Sequence, residues 1–174
     1  MKGGKGLQFK IGDKVVYPNH GIGVIENILQ KHIAGNAETY YTLRILSNDS
    51  TVMVPVSNTG AVGLRPVLPQ RNVERVLALL RDSRVNLQGD WKGRYQENSE
   101  KMRTGEVEKV VEVFKSLSYL SSMKTLSYRE RKMLDRARFL VISELAEASQ
   151  QPLPQIEAQV DQTLAVSLKS KTEH

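Results

Sequence analysis

Pro66-Val67-Leu68-Pro69-Gln70-Arg71-Asn72-Val73-Glu74-Arg75-Val76-Leu77-Ala78-Leu79-Leu80 is the stretch at which this 174-residue chain changes character. Beyond the two prolines, Val73, Val76, Leu77 and Leu80 recur at the spacing of one helix face. Val107, Val110, Val111, Phe114 and Leu117 repeat that spacing, as do Met133, Ala137, Leu140, Val141 and Leu145. Ser127 followed by Glu130 is a capping box, in which each side chain satisfies the other's free backbone amide. Gly105 and the Thr125-Leu126-Ser127 step read as breaks, so Gln70 to about Gln151 is expected to form a bundle of about four helices. Pro152-Leu153-Pro154 interrupts it. Residues 152–174 are expected as a flexible tail or as a last, weakly specified helix from Gln155 to Leu168.

Before the prolines the period is two. Val15-Val16-Tyr17 runs into Pro18-Asn19-His20-Gly21, and Val24-Ile25 and Ile28-Leu29 lead to the hairpin-type turn Ala34-Gly35-Asn36. Tyr40 to Leu46 alternates into Ser47-Asn48-Asp49-Ser50, Thr51 to Val56 follows, and a last run lies near Val62 to Val67. Short strands at this spacing predict a small all-β barrel. Pro55, within a run of valines, should mark a sheet edge or a strand end. The chain is therefore expected to be α+β, with a β unit over 1–68 and an all-α unit over 69–174.

Composition narrows the function classes. No run approaches the ~18 apolar residues of a membrane span, and the basic start Met1 to Gly6 has no apolar core behind it, so a soluble cytoplasmic protein is expected. With no cysteine there is no disulfide framework, no thiol catalysis and none of the usual ligands of structural zinc. The net charge is +6, with Lys and Arg in excess between Gln70 and Val141 and acids in excess from Ile142 onward. That localised basic section suits a polyanionic partner, and equally a solvated basic surface.

Neither catalysis nor a cofactor is expected. His20, His32 and His174 form no metal-binding pair and no nucleophilic triad. His20-Gly21-Ile22-Gly23 could cradle a phosphate, but it lacks the following Lys-Ser/Thr and lies between strands, so a turn is the better reading. Glu106, Glu108 and Glu112 with Lys109 and Lys115 look like a solvated helix face.

The only tryptophan stands in Leu87-Gln88-Gly89-Asp90-Trp91-Lys92-Gly93-Arg94-Tyr95, with Lys101 and Arg103 further along the same expected helix. A large aromatic flanked by cations can wedge against bases while the charges hold phosphates. It can also pack inward and pin the turn to the bundle. The β unit offers Thr51-Val52-Met53-Val54-Pro55-Val56, an apolar strand that is either internal to the barrel or an edge to which a partner strand can add.

Phe9-Lys10-Ile11-Gly12-Asp13-Lys14-Val15-Val16-Tyr17-Pro18-Asn19-His20-Gly21 closely resembles the opening of the CarD/CdnL family of bacterial transcription regulators. Trp91-Lys92-Gly93-Arg94-Tyr95, Gly105-Glu106-Val107 and Leu126 to Leu134 resemble that family's C-terminal domain in the same order. The first unit alone also resembles the polymerase-interacting domain of transcription-repair coupling factors. The resemblance implies an N-terminal Tudor-like (SH3-like) barrel that docks on the RNA polymerase β subunit by strand pairing. It implies a helical domain that contacts promoter DNA at the upstream edge of the melted region. Trp91 would enter the minor groove without reading sequence and stabilise the open complex, with Lys92, Arg94, Lys101 and Arg103 holding the DNA. Lys31, Thr51, Met53 and Pro55 would face polymerase. The family's polymerase-contacting arginines align with Lys31 and Met53, and its basic residue after the wedge motif aligns with Gln96. A monomer without cofactor, metal or membrane partner is expected. The alternative is a polymerase-binding adaptor whose helical domain recruits another protein rather than DNA.

Overall fold

The computed structural model describes residues 8–85 and 91–172, which fall into two compact units, Met1–Val67 and Leu68–His174. The lead-in over residues 1–6, the turn Leu87–Asp90, the side chain of Trp91 and His174 lie outside the described residues.

The first unit is a five-stranded antiparallel sheet of the Tudor-like kind. It comprises β1 (Lys14–Tyr17), β2 (Gly21–Ile33), β3 (Asn36–Ile45), β4 (Thr51–Pro55) and β5 (Arg65–Pro66), in the order β4-β3-β2-β1-β5. A short helix, α1 (Thr59–Val62), precedes β5. Both candidate turns have the backbone their residues favour. The turn between β1 and β2 is residues 18–20, with positive φ at Asn19 and at Gly21, the first residue of β2, and the His20 ring packs on Tyr17 at 4.9 Å. The His-Gly-Ile-Gly run is thus the end of a hairpin turn and the start of β2, not a phosphate cradle. Ala34 (φ 52°) and Gly35 (φ 81°) form the two-residue loop between β2 and β3, the tight turn whose twist matches the flanking strands.

One sheet face carries Val15, Ile25, Tyr41, Leu43 and Val54, packed with Phe9 and Leu64. The Tyr41 ring meets Phe9 edge-on at 5.7 Å, and its hydroxyl accepts the Phe9 backbone N–H at 3.1 Å. The phenol therefore buries its ring without stranding its oxygen. A bulge between Ile25 and Asn27 resets the register, so Ile28 still packs against the core. Pro55 is the last residue of β4, and Pro66 lies on β5 at the opposite edge, where neither interrupts an interior ladder.

The second unit contains α2 (Val73–Arg81), α3 (Trp91–Thr104), α4 (Val107–Met123), α5 (Tyr128–Ser149) and α6 (Leu153–Thr172). The apolar stripes read from the sequence are its core, with Val76, Leu80, Val111, Phe114, Leu117, Ala137, Val141 and Leu145 all buried. Gly105, at φ 72°, separates α3 from α4, and Gln150, at φ 55°, ends α5 before Pro152. Two expectations are corrected. The segment after Pro152 is not a flexible tail through Thr172 but α6, longer than Gln155 to Leu168, and it buries Ile156, Val160 and Leu164. Lys115 is not on a solvated face: it is buried, and its ammonium donates to the Leu79 carbonyl at 2.7 Å, one of the carbonyls left over at the end of α2. The buried Glu144 carboxylate likewise accepts the Leu68 N–H at 2.8 Å.

Ala34 holds a left-handed conformation that costs a β-carbon-bearing residue other than Asn or Asp about 1–2 kcal/mol. Ala34→Asn should therefore raise the stability of the β unit by up to about 1 kcal/mol. Urea unfolding of the full chain, followed by circular dichroism of the β signal, checks it.

Candidate nucleic-acid and polymerase interfaces

The α3 sequence has little to hold it down. Trp91-Lys92-Gly93-Arg94 opens the helix with a glycine, which costs roughly 1 kcal/mol relative to alanine, and no leucine or valine follows in the helix. Its inward residues are Arg94, Asn98 and Met102, one helical turn apart, and all are largely buried. Arg94 reaches α5, where its Nε and Nη2 donate to Glu130 Oε2 at 3.3 and 3.2 Å. The Arg94 and Glu130 side chains are only 11% and 5% exposed. Of the capping box expected at this helix start, the Ser127 half is observed, while the Glu130 carboxylate meets the Ser127 hydroxyl rather than its amide. The Glu130 backbone N–H donates to Ser127 Oγ at 3.2 Å, and the Ser127 hydroxyl lies 3.4 Å from Glu130 Oε1. A second contact joins the same two helix starts, with the Arg129 guanidinium 5.1 Å above the centre of the Tyr95 ring.

These contacts bring the Trp91 end of α3 beside the first turns of α5. There Tyr128, Arg129, Arg131 and Lys132 are exposed, and the Lys132 ammonium lies 4.8 Å from the centre of the Tyr128 ring. Lys92 is exposed on α3 and has no acidic partner among the described residues. A nucleic-acid backbone would meet here a cluster of cations interleaved with tyrosines. Sequence reasoning placed no binding role on Arg129, Arg131, Lys132, Tyr95 or Tyr128. Their cationic and aromatic composition was visible, but the approach of the α5 residues to Tyr95 and α3 needs a contact across more than thirty residues.

The other cations named on α3 are committed to acids. Lys101 binds Glu97 at 3.3 Å and Glu112 of α4 at 3.1 Å, and Arg103 pairs with Glu100. Burial works against the charge on Lys101, but the hydrogen bonds and charges of Glu112 and Glu97 outweigh it and hold its pKa above the ordinary lysine value. The acids are exposed; the exposed Arg103–Glu100 pair is worth about 0–1 kcal/mol, whereas Lys101, half-buried and held by two carboxylates, is the more firmly committed. Gln96 is exposed on the outer side of α3.

In the β unit, β4 pairs only with β3 and stands at the end of the sheet. Of the two readings left open for the 51–56 strand, the edge is the one observed. Its side chains alternate: Val54 points into the core with Val52 packed against it, while Thr51 and Met53 are exposed and Pro55 shares their face. Lys31 on β2 reaches that face, its ammonium 3.7 Å from the Met53 sulfur. The four residues named for polymerase thus lie on or beside the outward face of one edge strand. Among the described residues no group of three or more His, Asp or Glu is placed to hold a metal ion, and no helix is long and apolar enough to cross a membrane.

Comparison with known proteins matches each unit in turn. Residues 9–68 match the family model of the CarD-like/TRCF RID domain, and residues 75–161 match that of the CarD C-terminal domain. The "Putative transcription factor YdeB" of Bacillus subtilis (strain 168) is 36% identical over 137 residues, which is 79% of this chain and 90% of that protein. The solution NMR structure of the 72-residue N-terminal domain of Myxococcus xanthus CarD is 39% identical, covering 37% of this chain and 85% of that one, with a TM-score of 0.30.

The capping box underlies the helix junction, so Ser127→Ala should destabilise the helical unit by about 1 kcal/mol, the usual value of an N-cap hydroxyl. Thermal unfolding of the full chain measures the loss.

Proposed function

Because this chain belongs to the CarD-like transcription factor family, with both of the family's domains in series, we propose that it works as a two-point tether between RNA polymerase and promoter DNA. The β unit docks on the polymerase β subunit, and the helical unit contacts the promoter at the upstream edge of the melted region. The observation that supports this reading is the meeting of the α3 and α5 starts, where exposed Lys92 stands beside a basic, tyrosine-bearing stretch of α5.

The polymerase contact is strand addition. An edge strand presents unpaired backbone donors and acceptors, and Thr51, Met53 and Pro55 with Lys31 supply side-chain contacts along it. Lys31 keeps the positive charge of the family's arginine without its fork, and Met53 offers apolar contact in place of the second, so docking rests on backbone pairing and burial more than on ion pairs.

At the DNA end, Lys92 with Arg129, Arg131 and Lys132 holds phosphates, and Lys101 and Arg103 join them by releasing surface acids. Trp91 occupies the distorted minor groove without reading sequence. A wedge of this kind offsets a few kcal/mol of unstacking by favouring an opened or bent duplex. Preference for the melted state shifts the closed–open equilibrium by the difference in affinity alone. The protein is in this reading a cytoplasmic, non-enzymatic regulator that needs no cofactor.

The commitment of Arg94, Lys101 and Arg103 to acids favours one competing reading, an adaptor whose helical unit recruits a protein. A steep loss of ternary-complex affinity with salt supports DNA contact and excludes that adaptor.

Trp91→Ala should leave polymerase binding intact and shorten the lifetime of the open promoter complex about tenfold, equivalent to about 1.4 kcal/mol. An unchanged lifetime at saturating protein removes the wedge. In a pull-down with β-subunit fragments, residues 1–68 should be retained like the full chain, and Met53→Asp should weaken retention roughly five- to tenfold. Loss of binding by the fragment alone would place the docking surface elsewhere.

A further inference from the structure

Arg94 differs from every other cation near Trp91. Lys92 projects into solvent, and the acids that bind Lys101 and Arg103 are more than half exposed. Arg94 instead lies on the inward face of α3 with Asn98 and Met102, against a carboxylate that is itself buried. Both oxygens of that carboxylate have neighbours: Oε2 accepts two bonds from Arg94, and Oε1 faces the Ser127 hydroxyl. Swinging Arg94 out to a phosphate would strand the Glu130 charge away from water, where an unpaired ion is strongly disfavoured. The exposed pairs carry no such penalty.

Geometry also says what the pair is for. Arg94 lies in the first turn of α3, three residues after the helix begins at position 91. That first turn contains Gly93 and no aliphatic anchor. Its ties to α5 include the Arg94–Glu130 pair and the looser Arg129–Tyr95 contact at the surface. We infer that Arg94 is a positioning residue and not a phosphate contact: through Glu130 it locks the first turn of α3, and with it Trp91, against the capped start of α5. The inference rests on the DNA-wedge reading for its consequence, but the lock itself is a property of the free protein.

The test uses the full chain and four variants: Arg94→Met, Glu130→Gln (which keeps a side chain able to complete the capping box), the double variant of these two, and Lys92→Ala. Without DNA, amide exchange over residues 92–98 should accelerate at least roughly tenfold in Arg94→Met and Glu130→Gln, and the double variant should be little faster than Arg94→Met alone. Fluorescence anisotropy of Trp91, the single tryptophan, should fall in both and stay unchanged in Lys92→Ala. Binding to a fluorescein-labelled duplex with a premelted bubble is then measured across a salt series. Arg94→Met should lower affinity with the slope of log K against log salt unchanged, whereas Lys92→Ala should reduce that slope by about 0.9, the value of one phosphate contact. A slope reduced by that amount in Arg94→Met overturns the inference whatever the exchange shows, and so does unchanged exchange in that variant. A wild-type chain that ignores the duplex and the polymerase–promoter complex sinks the DNA reading, while the exchange measurement still decides the role of Arg94.

Discussion

A carboxylate withdrawn from water has to be paired and hydrogen-bonded, and Glu130 meets that requirement by joining three parts of the helical unit. Its backbone amide is capped by Ser127, one of its oxygens faces the same hydroxyl, and the other binds the guanidinium of Arg94. Buried ion pairs add little stability relative to an apolar replacement, but removing one partner is expensive, typically about 3–5 kcal/mol. Such a pair acts chiefly as a geometric constraint. Here it fixes where a polar, glycine-containing helix begins, and α3 has no aliphatic stripe that could do the same.

The remaining charges of the site arrange themselves around that constraint. With Arg94 turned inward, the outward cations beside Trp91 are Lys92 and the exposed Arg129, Arg131 and Lys132 of α5. Lys101 and Arg103 form a second group, neutralised by exposed acids of α3 and α4. The basic surface is therefore graded: some cations face solvent, some are paired with exposed acids, and Arg94 is committed to a buried one.

The β unit meets a different constraint, that a small sheet must leave two edges. β5 has only two residues, Arg65 and Pro66, and a strand so short and proline-bearing offers little to a partner. β4 is longer, presents Thr51 and Met53 outward, and keeps Val54 in the core. The asymmetry leaves one edge suited to accept a strand. The buried Tyr41, tied to the Phe9 amide, holds the opposite face closed.

Much of this was legible without coordinates. The switch of hydrophobic period near Pro66 to Pro69, the turn chemistry of Ala34-Gly35 and the capping box at Ser127 and Glu130 are local features, encoded within a few neighbouring residues, and the sequence by itself determined them. It also carried the motifs of the CarD/CdnL family. Local pattern said less where a residue's environment depends on distant ones. Lys115 reads as a solvated charge because its helix neighbours are acidic, yet it caps the end of α2. The last helix reads as weak because its apolar residues are sparse, yet three of them complete the core. Tertiary structure alone decided that β4 is an edge, that Lys31 meets Met53 over a third strand, and that Arg94 belongs to Glu130 thirty-six residues away. The physical reason is the same in each case. Charge and hydrogen-bonding capacity are properties of a residue, but whether they face solvent, a core or another ion is settled only by which elements pack together.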